Sequence, residues 1–336
     1  MSDTLAGLLW FSSNSALNHW EIYREMSRTR DLMPLILDLN SVSDLLQIER
    51  GLTTAYMSGK DGAVRARLLS QRLKLDREIK RITPYLERVL SSNIDNETAN
   101  KLSKAHIRLA DINLLRRNVD SERVSLDEMF AFYSNTINGI FDILIAVGEH
   151  SSDASITRTL KTYATFIHYK EHAGQERALG AAGFIAGAFD ARTYTRFAGL
   201  ISTQEILFEF FEHTADNETM TVFKNTMEGE VLENVDQMRR VVISRGPGGS
   251  LNGITGMEWF DLATKRIELL QNVSRYLNNR LYTMSEGLSR AAYSEFMITL
   301  TALFTVLIAT IYILVLLMRE IKDRIKTENI IREKEE

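Results

Sequence analysis

The chain has 336 residues, 45% of them hydrophobic, with a net charge of −4 and no cysteine. That is enough for one large or two medium domains with a real core. The missing cysteine excludes disulfides, thiol catalysis and thiolate-held metals, and the mixed charges, with no basic face and no aromatic-basic interleaving, leave no surface for nucleic acid.

Proline stands only at 34, 84 and 247. Apolar residues recur mostly at three- and four-residue spacing and strict alternation is scarce, so the expected fold class is all-α. A first long helix is expected from about 15 to 60, bent near Pro34, with Lys60-Asp61-Gly62 as its turn. A second covers about 63–92, kinked at Pro84, and the polar stretch SNIDNETAN (92–100) is a loop. A third covers about 99–118. Ser125 followed by Glu128 is a capping box that opens a fourth helix. That helix, or two in sequence, reaches about Gly187. Helices over about 191–213 and 218–244 follow. RGPGGSLNGITG (245–256) lacks the Gly-Lys-Ser/Thr ending of a phosphate-cradling loop and follows a helical pattern, so it reads as a connector between antiparallel helices. The last helix starts near Met257 and is expected to run unbroken to the charged tail.

Within it, Phe296–Met318 holds no charge over 23 residues. A helix of that length reaches about 35 Å at ~1.5 Å per residue, enough to cross a bilayer. A core helix of a soluble protein seldom lacks any polar stripe over so many turns. Arg319, Lys322, Arg324 and Lys326 follow closely, whereas only Arg280 and Arg290 lie near on the other side. The positive-inside rule puts the tail in the cytoplasm and residues 1–290 outside the inner membrane. The start, MSDTLAGLLWFSSNSALNHW, has no basic n-region and is no proper signal peptide. The expectation is that residues 1–39 are the remnant of a first membrane helix. The tail ends without a domain, so a cytoplasmic output domain or partner is expected beyond it. Its Ile321, Ile325, Ile330 and Ile331 among charges suit a dimeric signalling helix of coiled-coil type, or a solvated juxtamembrane helix.

An internal echo marks the exported part. Residues 49–55 read ERGLTTA and 176–182 read ERALGAA, and each copy runs on to a glycine, Gly59 and Gly187. Small residues around an arginine leave room for a ligand or for close helix packing. Arginine suits a planar anion because its fork donates parallel hydrogen bonds and keeps its proton. The competing account pairs Glu49 with Arg50 or a neighbouring base, and Glu176 with Arg177, as structural ion pairs; on these residues alone that account weighs more. Arg239-Arg240 and Arg245 could supply a third arm or form a solvated helix end. His168 and His172 lie four apart, but HYKEH is not HExxH and no third ligand stands out, so no metal site is assigned. No catalytic triad, nucleophile elbow or paired-carboxylate motif is present. No enzyme activity and no cofactor is expected.

ERGLTTAYMSG, then KEHAGQERALGAAGFIAGAFDARTYTRFAGLISTQEILFEFF, then MEWFDLATKRIELLQNV resemble the nitrate- and nitrite-sensing (NIT) domain family. The matching motifs are Glu49–Gly51, Lys170–Ala181, Gln204 with Phe208–Phe211, and Trp259–Ile267. The resemblance implies a sensor domain over 40–290 built as two stacked antiparallel four-helix bundles sharing long helices, followed by the membrane helix at 296–318 and a cytoplasmic juxtamembrane helix at 319–336. It implies nitrate or nitrite held by arginines between bundle helices, in a bacterial domain that sits in front of a receptor, kinase, cyclase or RNA-binding output; a single-pass receptor would normally need a homodimer. By motif the anion-binding residues are Arg50 and Arg177; Arg239 or Arg240 matches by approximate position only. Where Arg-Arg is expected in the first motif, this chain has Glu49-Arg50. The rival function is a membrane-anchored helical scaffold that binds protein and no small ligand.

Overall fold

The computed structural model describes residues 2–92, 94–149, 153–251 and 253–335. Among them lie nine α-helices and no strand: α1 Ser2–Gly59, α2 Gly62–Leu90, α3 Asn96–Asp120, α4 Leu126–Glu149, α5 Ala154–Ala186, α6 Ala191–Thr214, α7 Asn217–Thr226, α8 Glu230–Arg245 and α9 Gly256–Glu335. The fold is all-α, as the sequence predicts.

The helix starts are written in short polar residues. Asp61, Asp95, Asp153, Asp190 and Asp216 each stand at an N-cap, where the carboxylate accepts from backbone N–H groups that have no partner inside the helix. The Ser125–Glu128 capping box forms reciprocally, the Ser125 N–H donating to Glu128 at 2.9 Å and the Glu128 N–H to Ser125 Oγ at 3.2 Å. The glycine-rich stretch is a connector, with Gly246, Gly248 and Gly253 at positive φ and the Gly248 N–H donating to the Phe189 carbonyl at 2.7 Å.

Two expectations need correction. α1 starts at Ser2, not near 15, since no proline interrupts that stretch. α1 and α2 run through Pro34 and Pro84 as expected; around Pro34 the buried Met33, Leu35 and Ile36 offset the lost backbone bond. The single helix expected over 218–244 is two, because Gly229 sits at φ 102°, a conformation that ends one helix before the next begins.

The chain divides into two compact units. Asp31–Met284 is the larger. Here Glu49 of α1 binds Arg116 of α3 and Tyr133 of α4 and lies 3.9 Å from Arg72 of α2. Glu176 of α5 binds Gln204 of α6, Arg239 of α8 and Arg266 of α9. Four helices thus gather round each buried carboxylate, and α1 and α5 bring the two groups together. An apolar core of Leu52, Leu179, Phe184, Phe197, Trp259 and their neighbours packs below the charges. Leu126–Val147 is apolar enough for a membrane, yet 61% of its window is buried among other helices, which makes it a core helix.

The smaller unit comprises residues 1–30 and 285–336. Trp20 meets Phe296 at 5.2 Å between ring centres, Tyr23 meets Tyr293 at 5.3 Å, and His19 lies 3.6 Å from Glu295. Beyond this aromatic cluster most of the apolar stretch of α9 is exposed, with 0% of its most hydropathic window buried, while Leu300 and Leu303 line a pocket with Ala16 and Leu17 of α1. Ile298, Phe304, Ile308 and Tyr312 are all exposed. The tail continues helical, with Ile321 and Ile325 exposed and Arg324 bonded to Glu320 one turn back; the side chains of Ile330 and Ile331 lie outside the described residues.

Candidate functional site

Neighbouring residues on a helix point about 100° apart. The two Glu-Arg pairs of the echo use that divergence. Glu49 turns away from Arg50 and accepts from Arg116 Nε and Nη2, each at 2.8 Å, and from the Tyr133 hydroxyl at 2.7 Å. Burial first, then the Glu49 charge, pushes the Tyr133 pKa well above its ordinary value, so Tyr133 remains a donor. Glu176 turns away from Arg177 and accepts from Arg239 at 2.7 and 2.6 Å, from Gln204 at 2.8 Å and from Arg266 at 3.3 Å. Burial works against the Glu176 charge, yet the Arg239 and Arg266 guanidiniums hold its pKa below the usual carboxylate range.

The two arginines of the echo are left facing the junction of α1 and α5. Both are fully buried. Arg50 makes a two-pronged ion pair with Glu171, its Nη2 donating to Oε2 at 3.1 Å, and its Nη1 also donates to Ser134 Oγ at 2.8 Å. Gln47 Nε2 and Gln175 Nε2 complete the Glu171 carboxylate at 2.9 and 2.8 Å. Arg177 donates to the Gln47 carbonyl at 2.8 Å and to Thr264 Oγ1 at 3.2 Å. Among the described residues no carboxylate lies within ion-pair distance of it. Burial first, then the nearby Arg50 charge, pushes its pKa down to about 9. At neutral pH it is therefore a buried cation held by neutral partners. Arg50 Nε, Arg177 Nε and Gln47 Oε1 are buried without a hydrogen-bond partner.

The seats are cut by glycine and floored by aromatic rings. A Cβ on Gly174 would lie 3.1 Å from Arg50 Nη2, and one on Gly51 3.2 Å from Arg177 Nε and 3.1 Å from Phe260. Each arginine thus lies against a glycine of the opposite helix. Arg50 sits over Phe130 at 5.2 Å and Arg177 over Phe260 at 5.1 Å. Chemically, these groups present buried guanidinium N–H donors, the kind that pairs with a planar anion. They include no nucleophile–base pair. Among the described residues no group of three or more His, Asp or Glu side chains is arranged to hold a metal.

Residues 41–282, more than half the chain, match the family described as nitrate and nitrite sensing, NIT. The chain belongs to the NIT family. A curated relative, the nitrate regulatory protein of Klebsiella oxytoca, is 24% identical over 250 residues, covering 74% of this chain and 62% of that protein. This NIT chain therefore spans about three fifths of that relative's length. The solved structure of the NasR transcription antiterminator shares the fold, with a TM-score of 0.73 at 21% identity over 86% of this chain and 82% of that one. Both relatives are regulators by name.

Of the four arginines singled out from the sequence, the NIT fold brings Arg50 and Arg177 together. Arg239 is committed to Glu176 on the far side of that residue, and Arg240 is exposed. Several site residues carry no signal in the sequence reading. Glu171 lies inside the quoted Lys170–Ala181 motif, and Arg266 inside Trp259–Ile267, yet neither was given a role. Gln47, Ser134 and Thr264 are ordinary polar residues whose position on a buried helix face decides their use. His168 and His172 are not joined into a ligand set: burial first, then His172, depresses the His168 pKa, and His172 Nδ1 lies 2.8 Å from the His168 carbonyl.

Proposed function

We propose that this protein senses nitrate or nitrite by holding the anion between Arg50 and Arg177, and that the signal passes along α9 through a cell membrane. The observation that carries the first part is the buried Arg177 guanidinium, which among the described residues has no carboxylate within ion-pair distance. Desolvating a cation costs several kcal/mol unless an opposite charge offsets it. A bound monoanion supplies that charge and gives acceptors to the partnerless Nε–H groups of both arginines. Nitrate and nitrite are planar and fit the geometry of guanidinium donors. Family membership supports this choice of anion over others of the same shape.

The membrane reading is supported by the largely exposed apolar helix at 296–318 and the basic residues that follow it. On that reading the sensor lies outside the cell membrane and the tail inside, and a homodimer passes a change in helix packing to an output domain or partner. The ligand drives that change only to the extent that it binds one helix arrangement better than the other.

Thermal unfolding of the full chain in detergent micelles tests the sensing. Nitrate or nitrite at one hundred times its Kd is expected to add about 2.7 kcal/mol of stability, whereas chloride at equal ionic strength adds far less. Equal melting temperatures in nitrate and chloride would sink the proposal.

A further inference from the structure

Glu171 is the one carboxylate that answers an arginine of the site, and its place suggests a second task. Among the described residues the buried carboxylates are Glu49, Glu171 and Glu176. Glu49 is engaged by Arg116 and Glu176 by Arg239 and Arg266, so neither offsets Arg50 or Arg177. The exposed Arg67 and Glu268 act on Arg177 with opposite signs. What remains at the junction is two guanidiniums and one carboxylate, a net charge of one positive unit.

On the reading that Arg50 and Arg177 hold the anion, we infer that Glu171 is the specificity-determining residue: it fixes the site at a single positive charge and so selects monovalent over divalent anions. A monoanion brings the buried cluster to neutrality. A dianion such as sulfate leaves it one negative charge in excess, and an uncompensated buried charge is strongly unfavourable. Glu171 is not itself the seat that the ligand takes. Both its oxygens already accept two hydrogen bonds, from Arg50 and Gln175 at Oε1 and from Arg50 and Gln47 at Oε2. The donors without partners at the junction are instead the Nε atoms of Arg50 and Arg177, beside the partnerless acceptor Gln47 Oε1. The carboxylate stays in place, pins the Arg50 fork and cancels one charge.

Calorimetric titration of the full chain in detergent with sodium nitrate and sodium sulfate, at constant ionic strength, tests this. The wild-type protein is expected to bind nitrate and to bind sulfate at least tenfold more weakly. Glu171→Gln keeps the size and planarity of the side chain while raising the site to two positive charges. Its nitrate-to-sulfate preference is expected to fall at least tenfold, and Glu171→Asp, which keeps the charge, is expected to retain the wild-type preference. An unchanged preference in a folded Glu171→Gln, or its loss in Glu171→Asp, overturns the role of Glu171 and leaves the arginine site standing. If Glu171→Gln does not fold, the wild-type pair of titrations decides, and sulfate binding as tight as nitrate overturns the inference. Absence of nitrate binding to the wild type overturns the arginine site itself, and the inference with it.

Discussion

Arg50 and Arg177 are equally buried but electrostatically unlike, and substitution separates them. Arg50 offsets Glu171, so Arg50→Met strands a buried carboxylate and is expected to cost about 3–5 kcal/mol, read from denaturant or thermal unfolding. Arg177→Met removes a cation that no carboxylate offsets. It is expected to leave the melting temperature in nitrate-free buffer unchanged or higher, and to abolish the rise on adding nitrate. A pH series gives a second view. The folded protein holds the Arg177 proton more weakly than the unfolded chain does, so the unfolded state binds more protons above about pH 9 and stability from this group rises with pH there. Anion binding needs the charged form, so nitrate affinity falls over the same range. Titrations at pH 7, 8, 9 and 10 beside melts at the same values check the opposite signs. At this scale the sequence singles out Arg50 and Arg177, through the echo and the family motifs. It does not show who pairs with whom. Glu49 does not neutralise Arg50, but Glu171, 121 residues away, does, and only the packing of α5 on α1 brings that carboxylate near.

Helix-level packing resolves what the small residues around each arginine are for, and they divide by position. Gly51 and Gly174 seat the guanidiniums, whereas Gly180 and Gly183 seat aromatic rings: an added Cβ would lie 2.2 Å from Trp259 and 2.4 Å from Phe189. On α5 the small residues thus make room both for a guanidinium and for close packing of rings. Gly180→Ala is expected to destabilise by about 1–3 kcal/mol through overpacking against Trp259, which is itself fixed by its Nε1 bond to the Arg177 carbonyl at 3.0 Å. Gly174→Ala meets Arg50 at 3.1 Å, and that guanidinium yields by a few tenths of an ångström. Its expected effect is on function: nitrate affinity about tenfold lower with stability within about 1 kcal/mol of wild type, since the helix gains up to about 1 kcal/mol from losing a glycine. Nitrate titration and unfolding of the same sample check both. Helix type and most helix boundaries are legible from periodicity and caps. The start of α1 and the break at Gly229 are not, because the short polar run SSNS (12–15) inside α1 looks like a cap, and a glycine in a helical pattern is ordinary until its φ is known.

Across the whole chain, the contrast is between two apolar helices of similar composition. Leu126–Val147 is wrapped by other helices, and the hydropathic window of α9 is not buried at all. On the membrane reading proposed above only the second spans lipid, which would take up the apolar surface that it exposes. The protein is expected to sediment with membranes, to remain there in alkaline carbonate and high salt, and to dissolve only in detergent. Recovery in the soluble fraction after a salt wash would contradict a spanning helix. The long apolar run of α9 and the family are legible in the sequence because each rests on a contiguous run or an ordered motif. The division into Asp31–Met284 and a second unit made from both ends of the chain is not, because it depends on which distant segments meet.

The central claim is that Arg177 is a buried cation kept for an anion. Isothermal titration of sodium nitrate into the full chain in detergent, wild type beside Arg177→Gln, addresses it directly. The account predicts saturable nitrate binding by the wild type, at one anion per chain, and no binding by a folded Arg177→Gln. Nitrate binding of equal affinity in both proteins, or none in the wild type at millimolar ligand, would contradict it.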